Sequence, residues 1–112
     1  MDWRVLHTWP YGPLTLAYVM PPNQDDFHLE ILAGPGAKTQ TIYPDVDASL
    51  VVNGLNHLCL SVDRMDDTLA ALRERGVEIV NPPFDMDDIS ARLAFFSDPR
   101  GNLFELSERT SR

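Results

Sequence analysis

Apolar and polar residues alternate with a period of two along most of the chain, while one segment follows a helical period. Alternating segments over residues 3–8, 14–20 and 27–33 predict three strands in the first part of the chain. Residues 10–13 contain two prolines and a glycine, so they predict a turn that joins the first two strands into a hairpin. No clear period runs through residues 37–53, which we interpret as a linker.

The helical segment follows a strand that we predict over residues 55–62. Met65, Leu69 and Leu72 are spaced i, i+4 and i+7, which indicates one short amphipathic helix. Asp63 is expected to cap its first turn, with Asp66 three residues later as a weakened capping box. Gly76 is placed for a left-handed stop at its end.

Three further strands are predicted over residues 77–80, 92–97 and 103–107. The second part of the chain is therefore β-α-β-β-β, whereas the first part is β-β-β only. If the two parts are related repeats, the first lacks its leading strand and helix. The fold class is α+β.

Composition narrows the range of functions. The chain has 112 residues, the size of one domain, and 44% hydrophobic with 23% charged residues is typical of a globular protein. A formal charge of −8 makes binding to nucleic acid or to an anionic membrane unfavourable. A single cysteine, Cys59, excludes an intrachain disulfide framework and fits a reducing compartment. Since no apolar stretch is long enough for a membrane span, we expect a cytoplasmic protein.

Strand alternation also predicts which polar side chains share a face. Leu58, Leu60 and Val62 would pack under the helix, so His57 would point to the opposite face. In the last strand, Phe104 and Leu106 form the apolar pair, which turns Glu105 to the same side as His57.

In the third strand, Leu29 and Ile31 belong to the apolar face, so Glu30 is predicted to point to the opposite face. Each of these residues alone is more often solvent-facing or hydrogen-bonded than functional. One imidazole and two carboxylates directed to a common face nevertheless form a suitable site for Zn²⁺, Ni²⁺, Mn²⁺ or Fe²⁺. The predicted metal ligands are therefore Glu30, His57 and Glu105.

Three segments resemble one known family: Asn56 to Asp63, Leu72 to Glu78, and Phe95 to Leu106 with its Asp-Pro-Arg-Gly-Asn-Leu-Phe-Glu-Leu run. Together they are similar to the glyoxalase/bleomycin resistance/extradiol dioxygenase superfamily, the vicinal oxygen chelate fold. The resemblance covers nearly all of residues 54–108.

The resemblance implies paired βαβββ modules whose sheets enclose a metal-bearing cup, with ligands on the first and last strands of each module. It implies one glyoxalase-like domain over residues 1–112, divided into a first module (1–36) without its leading strand and helix, a linker (37–53) and a complete second module (54–108). His57 and Glu105 occupy the two ligand places of the second module, and Glu30 occupies the last-strand place of the first.

Two alignments remain for the fourth ligand place. In one, residues 4–8 are the leading strand and His7 is the fourth ligand. In the other, residues 3–8 are already the second strand of the module and His7 is an ordinary strand residue. The hairpin spacing through residues 10–13 favours the second alignment.

The leading functional hypothesis is a metal-dependent lyase or isomerase of the glyoxalase kind. A divalent ion would bind vicinal oxygens of a small substrate and stabilise an enediolate, and Glu105 would move the proton. An extradiol-type dioxygenase ranks lower, because a facial triad needs a second histidine beside His57 and Glu105.

Two alternatives come from other classes. A metal-free drug-binding protein of the same superfamily would use an aromatic cup, although aromatic residues are more often simply core. The candidates for that cup are Trp3, Trp9, Tyr11, Tyr18, Phe27 and Phe95. The other alternative is an inactive remnant. In every case the incomplete first module predicts a homodimer, because an unpaired sheet edge and an uncovered apolar face are normally hidden by a partner.

Overall fold

A computed structural model of the chain describes residues 2–36, 38 and 40–110. It divides into two compact units, Met1–Lys38 and Thr39–Arg112. The predicted α+β class is confirmed. Neither helix in the part of the chain that the structure describes has the length and apolar character of a membrane span.

The first unit is a three-stranded antiparallel sheet. Its strands are β1 (Arg4–Tyr11), β2 (Leu14–Met20) and β3 (Leu29–Ala33), in the order β1-β2-β3. The predicted hairpin turn lies between β1 and β2, where Gly12 has a φ of 57° that favours glycine. Within residues 2–36 there is no helix.

The direction of pairing decides between the two alignments of the first unit. β1 pairs with β2 in antiparallel register, His7 opposite Tyr18. A leading strand of a βαβββ module would instead pair in parallel with the last strand, as happens in the second unit. The topology therefore supports the alignment in which residues 3–8 are the second strand of the module.

The second unit begins with a short helix, α1 (Val46–Ser49), inside the segment predicted to be a linker. The Asp45 carboxylate accepts a hydrogen bond from the Ala48 backbone N–H at 2.8 Å and caps this helix. Residues 37 and 39 of the predicted linker lie outside the described residues.

The remainder of the second unit has the predicted β-α-β-β-β order. Its elements are β4 (His57–Ser61), α2 (Met65–Glu74), β5 (Glu78–Met86), a 3₁₀ turn (Asp87–Ile89), β6 (Ala91–Ser97) and β7 (Leu103–Arg109). The sheet order is β4-β7-β6-β5, with β4 and β7 parallel and the other pairs antiparallel.

The core of the second unit lies between α2 and one face of this sheet. Met65 and Leu106 are fully buried, and Leu69 is 2% exposed. Leu58 lies on the same face as Leu106 but on the edge strand β4, and it keeps 39% of its surface. Helix α2 therefore covers the central strand β7 of this sheet face more completely than the edge strand β4.

Two local predictions are wrong. Arg64 is the N-cap of α2, with no side-chain capping bond, so Asp63 does not cap the helix. Asp66 accepts a hydrogen bond from Arg92 at 3.1 Å instead of closing a capping box. The cap comes from Glu108 on β7, whose carboxylate accepts from the Met65 backbone N–H.

The strand predicted over residues 77–80 extends to Met86 and includes Pro82 and Pro83. β5 is an edge strand, and its pairing with β6 shifts register between Asn81 and Phe84. Proline is tolerated at an edge and at a bulge because no ladder hydrogen bond is lost there. The prolines therefore lie inside the strand, although the sequence pattern predicted that the strand ends at residue 80.

Candidate metal centre

Parallel pairing of β4 with β7 brings the two candidate ligands of the second unit together. The register places His57 opposite Leu103 and Cys59 opposite Glu105. Since alternate residues of a strand point to one face, His57, Cys59 and Glu105 share a face. Leu106, the neighbour of Glu105, is fully buried on the helix side.

His57 and Glu105 lie side by side on this face, as their strand parity predicts. His57 Nε2 is 3.7 Å from Glu105 Oε2, and the side chains keep 25% and 17% of their surface. Both are half-buried yet reachable from solvent. The pair therefore offers one nitrogen and one carboxylate donor at an accessible position.

The other ring nitrogen of His57 is held by the preceding residue. Nδ1 is 2.7 Å from Asn56 Oδ1. The Asn56 amide nitrogen donates to both the carbonyl oxygen and the hydroxyl of Ser49, at 3.2 and 3.0 Å. The sequence analysis did not predict a role for Asn56 or Ser49. The one sequence feature that could have indicated it is the Asn-His pair at the start of a predicted strand.

Phe95 forms one wall beside the imidazole. Its ring centroid is 5.2 Å from that of His57, with the planes at 76°, an edge-to-face arrangement. Phe95 is 6% exposed and stands opposite Glu105 on the neighbouring strand β6. It therefore limits the positions that the His57 ring can adopt and keeps water from one side of the pair.

Cys59 is the third polar residue of this face. Desolvation of the sulfur, a hydrogen bond to the Glu105 carboxylate and the negative charge of that carboxylate raise the pKa of the Cys59 thiol to about 12. The neutral thiol is a donor to Glu105.

Glu30 lies on β3 of the first unit and is exposed. It stands opposite Tyr18 on β2, as Glu105 stands opposite Phe95 on β6. Glu30 thus occupies in the first unit the last-strand place that Glu105 occupies in the second.

The other two histidines belong to a row of rings in the first unit. Ring centroids are 5.3 Å apart for His7 and Trp9, 4.8 Å for Trp9 and Tyr18, and 4.1 Å for Tyr18 and His28. Of the other residues suggested for an aromatic cup, Tyr11 is 70% and Phe27 is 46% exposed. The row makes an aromatic surface within this unit.

The donors present are compatible with a divalent ion held by His57 and Glu105. Two metal–ligand bonds to nitrogen and oxygen span up to about 4.3 Å, and the two atoms are 3.7 Å apart. Among the described residues, no three His, Cys, Asp or Glu side chains are grouped as a ready metal site. Solvent or substrate would have to supply further ligands, as in catalytic sites with open positions.

One known protein family matches most of the chain. The family model described as the Glyoxalase/Bleomycin resistance protein/Dioxygenase superfamily matches residues 1–106.

Solved structures and one curated protein are similar to this chain. The crystal structure of a glyoxalase family protein from Enterococcus faecalis superposes with a TM-score of 0.73 and 26% identity, covering 95% of this chain and 78% of that one. Glyoxalase I from Zea mays has a TM-score of 0.74 at 21% identity, covering 97% of this chain and 37% of that one. An uncharacterized protein, YraH of Bacillus subtilis (strain 168), is 43% identical over 49 residues, 44% of this chain and 38% of its own length.

Proposed function

Since the chain belongs to the glyoxalase/bleomycin resistance protein/dioxygenase superfamily, we propose that it is a metal-dependent lyase or isomerase of the glyoxalase kind. Its substrate would be a small molecule with vicinal oxygens. The observation that carries the proposal is the pair His57 Nε2 and Glu105 Oε2, 3.7 Å apart on one accessible sheet face.

In this proposal His57 and Glu105 hold a divalent ion, and Glu30, at the equivalent strand position of the first unit, stays a predicted metal ligand. Imidazole and carboxylate donors suit Zn²⁺, Ni²⁺, Mn²⁺ or Fe²⁺. Such an ion, when bound, polarises substrate oxygens and acidifies the adjacent C–H.

Glu105 is the proposed catalytic base. A carboxylate has two oxygens, so it has an atom free to take a proton from a carbon beside it. The Cys59 thiol beside this carboxylate stays neutral, because desolvation, a hydrogen bond to Glu105 and the charge of Glu105 raise its pKa to about 12. Phe95, 6% exposed and in contact with His57, shields one side of the reacting centre from water.

The test is metal binding followed by an activity assay. Protein stripped with chelator is titrated with Zn²⁺ and Ni²⁺ by calorimetry, and turnover of lactoylglutathione is then measured with each ion. His57→Ala and Glu105→Gln should weaken binding by more than the roughly 10–100-fold that loss of an outer partner costs. His28→Ala is the matched control, and equal losses at His28 and His57 would refute the assignment.

A second candidate is metal-free binding of a small aromatic molecule, as in drug-sequestering proteins. It is favoured by the row of rings His7, Trp9, Tyr18 and His28 in the first unit. Quenching of tryptophan fluorescence by planar compounds in chelator-treated protein, abolished by Trp9→Ala, would support it. If neither metal nor ligand binds, the inactive-remnant alternative is favoured.

A dioxygenase receives less support. The second module contains His57 as its only histidine, whereas a facial triad needs two.

We also propose that the protein is a cytoplasmic homodimer. One free cysteine in the sequence fits a reducing compartment. Several apolar residues between α1 and β4 are exposed, including Val51 at 85% and Leu55 at 100%. A second copy would remove this surface from water.

A further inference from the structure

We propose that Asn56 is the positioning residue of this centre: it fixes the ring orientation and the tautomer of His57, so that the Nε2 lone pair faces Glu105. The inference deepens the proposed function and rests on it for the metal only. The tautomer itself follows from the hydrogen bonds of the second unit.

The first step is the orientation of the Asn56 amide. Its nitrogen lies 3.2 Å from the Ser49 carbonyl oxygen and 3.0 Å from the Ser49 hydroxyl. That hydroxyl donates to the Val46 carbonyl oxygen at 2.6 Å, so its lone pairs are left for Asn56. A reversed amide would set its oxygen against the Ser49 carbonyl, two acceptors with no proton between them. The Asn56 amide nitrogen therefore belongs on the Ser49 side.

The second step is the tautomer. With the amide so oriented, Asn56 Oδ1 faces His57 Nδ1 at 2.7 Å. An amide oxygen only accepts, so Nδ1 must carry the proton. In the neutral ring the lone pair is then on Nε2, the atom that lies 3.7 Å from Glu105 Oε2.

The consequence is electrostatic. A nitrogen lone pair and a carboxylate oxygen repel each other unless a cation lies between them, and 3.7 Å is longer than a direct hydrogen bond. Metal-binding histidines generally donate their second N–H to an oxygen acceptor, which orients the ring and makes it more basic. Asn56 supplies that acceptor here.

Ser49 holds the Asn56 amide in place. It ends helix α1, is 3% exposed, and receives Asn56 through two acceptors. Asp45 caps the same helix. The short helix inside the predicted linker is thus part of the site, because it holds the residue that orients His57.

The experiment measures tautomer and metal affinity separately. Imidazole ¹⁵N shifts of histidine-labelled, metal-free protein are recorded above pH 8, and the His57 signals are assigned by their loss in His57→Ala. Wild type should show a protonated Nδ1. Asn56→Ala should give a mixture of tautomers and about 10–100-fold weaker Zn²⁺ binding by calorimetry.

Two variants separate positioning from folding. Asn56→Asp keeps an oxygen acceptor for Nδ1 and should retain the tautomer. Ser49→Ala leaves the Ser49 carbonyl as an acceptor and should weaken Zn²⁺ binding less than Asn56→Ala. His7 and His28 signals serve as internal controls and should not move.

The outcomes are distinguishable. A protonated Nε2 in wild type, or an unchanged tautomer and Zn²⁺ affinity in Asn56→Ala, would overturn the role of Asn56. Should wild type bind no metal, the proposed function fails, while the ¹⁵N shifts still decide whether Asn56 sets the tautomer. If Asn56→Ala does not fold, the tautomer in wild type and Asn56→Asp decides instead.

Discussion

Glu108 on β7 caps helix α2: its carboxylate accepts a hydrogen bond from the Met65 backbone N–H, with 2.7 Å between Oε2 and nitrogen. The acceptor lies 43 residues from the donor in sequence. A negative charge at a helix N-terminus also interacts favourably with the helix dipole. This contact ties the helix to the strand that carries Glu105.

Loss of this cap should destabilise the protein. Glu108→Ala is expected to lower the free energy of unfolding by about 1 kcal/mol, the usual cost of removing a cap. Glu108→Gln keeps an acceptor and loses only the charge, so its cost should be about half as large. Urea denaturation measures both. Asp63→Ala is the control, and a cost as large as that of Glu108→Ala would restore Asp63 as the cap.

The core between α2 and the sheet should respond strongly to truncation. Leu69 is 2% exposed, so Leu69→Ala is expected to cost about 2–5 kcal/mol of unfolding free energy. Ile89 is 61% exposed and lies outside the apolar segment between α1 and β4, so Ile89→Ala should change stability by less than about 0.5 kcal/mol. Similar losses at both positions would contradict the assigned core.

Strand alternation was sufficient to predict the shared face of His57 and Glu105, because burial of one sheet face imposes a period of two on the sequence. Helix α2 was predictable because its buried residues Met65, Leu69 and Leu72 recur with the helical period. These features depend on neighbours along the chain.

What the sequence did not reveal depends on long-range contacts. The Glu108 cap joins residues from two elements, and the Asn56 hydrogen bonds require a helix of only four residues. Such a helix is too short to leave a periodic pattern. The extension of β5 through Pro82 depends on its edge position, which follows from sheet order and is not encoded locally.

Two glycines should differ in their tolerance of alanine. Gly76 and Gly101 have φ values of 77° and 84°, so a Cβ strains either backbone by about 1–2 kcal/mol. At Gly101 the Cβ would also lie 2.8 Å from Ile42 Cγ1. Gly101→Ala should therefore cost about 1 kcal/mol more than Gly76→Ala.

A double-mutant cycle checks the cause of this difference. Ile42 is 60% exposed, so Ile42→Ala alone should have a small effect on stability. Combined with Gly101→Ala, it should remove the extra cost measured by urea denaturation. If the two effects are additive, the Ile42 contact is not the source of the difference.

Cys59 should react slowly with thiol reagents. Although solvent reaches Cys59, its pKa of about 12 leaves very little thiolate at pH 8. Alkylation by iodoacetamide in chelator-treated protein should be at least about a hundredfold slower than for free cysteine, whose pKa is about 8.5. Glu105→Gln removes the negative charge and should increase the rate. A rate unchanged by this substitution would show that Glu105 does not hold the thiol neutral.

The raised pKa of Cys59 should make the folded protein less stable as the pH rises above about 8.5. The folded state favours the neutral thiol, so its contribution is fully present below the ordinary pKa of about 8.5. It declines as the pH rises toward the folded value of about 12. Cys59→Ser should therefore flatten the loss of stability with pH above 8.5, measured as urea midpoints along a pH series. An unchanged slope would contradict the shift.

Self-association should depend on the apolar segment between α1 and β4. Leu50, Val51, Val52 and Leu55 keep between 52% and 100% of their surface, and neighbouring apolar residues with this exposure generally mark an interface. Wild type is expected to sediment as a dimer at micromolar concentration. Because each copy carries a formal charge of −8, salt should strengthen the association by screening repulsion.

Val51→Asp/Leu55→Asp should shift the protein to monomer at the same concentration, since each new carboxylate would have to be desolvated in the interface. Gln24→Asp/Thr41→Asp adds the same charge at exposed polar positions and should leave the dimer largely intact. A wild-type protein that stays monomeric on concentration would refute the dimer. Equal dissociation of both double variants would mean that net charge, and not this segment, controls association.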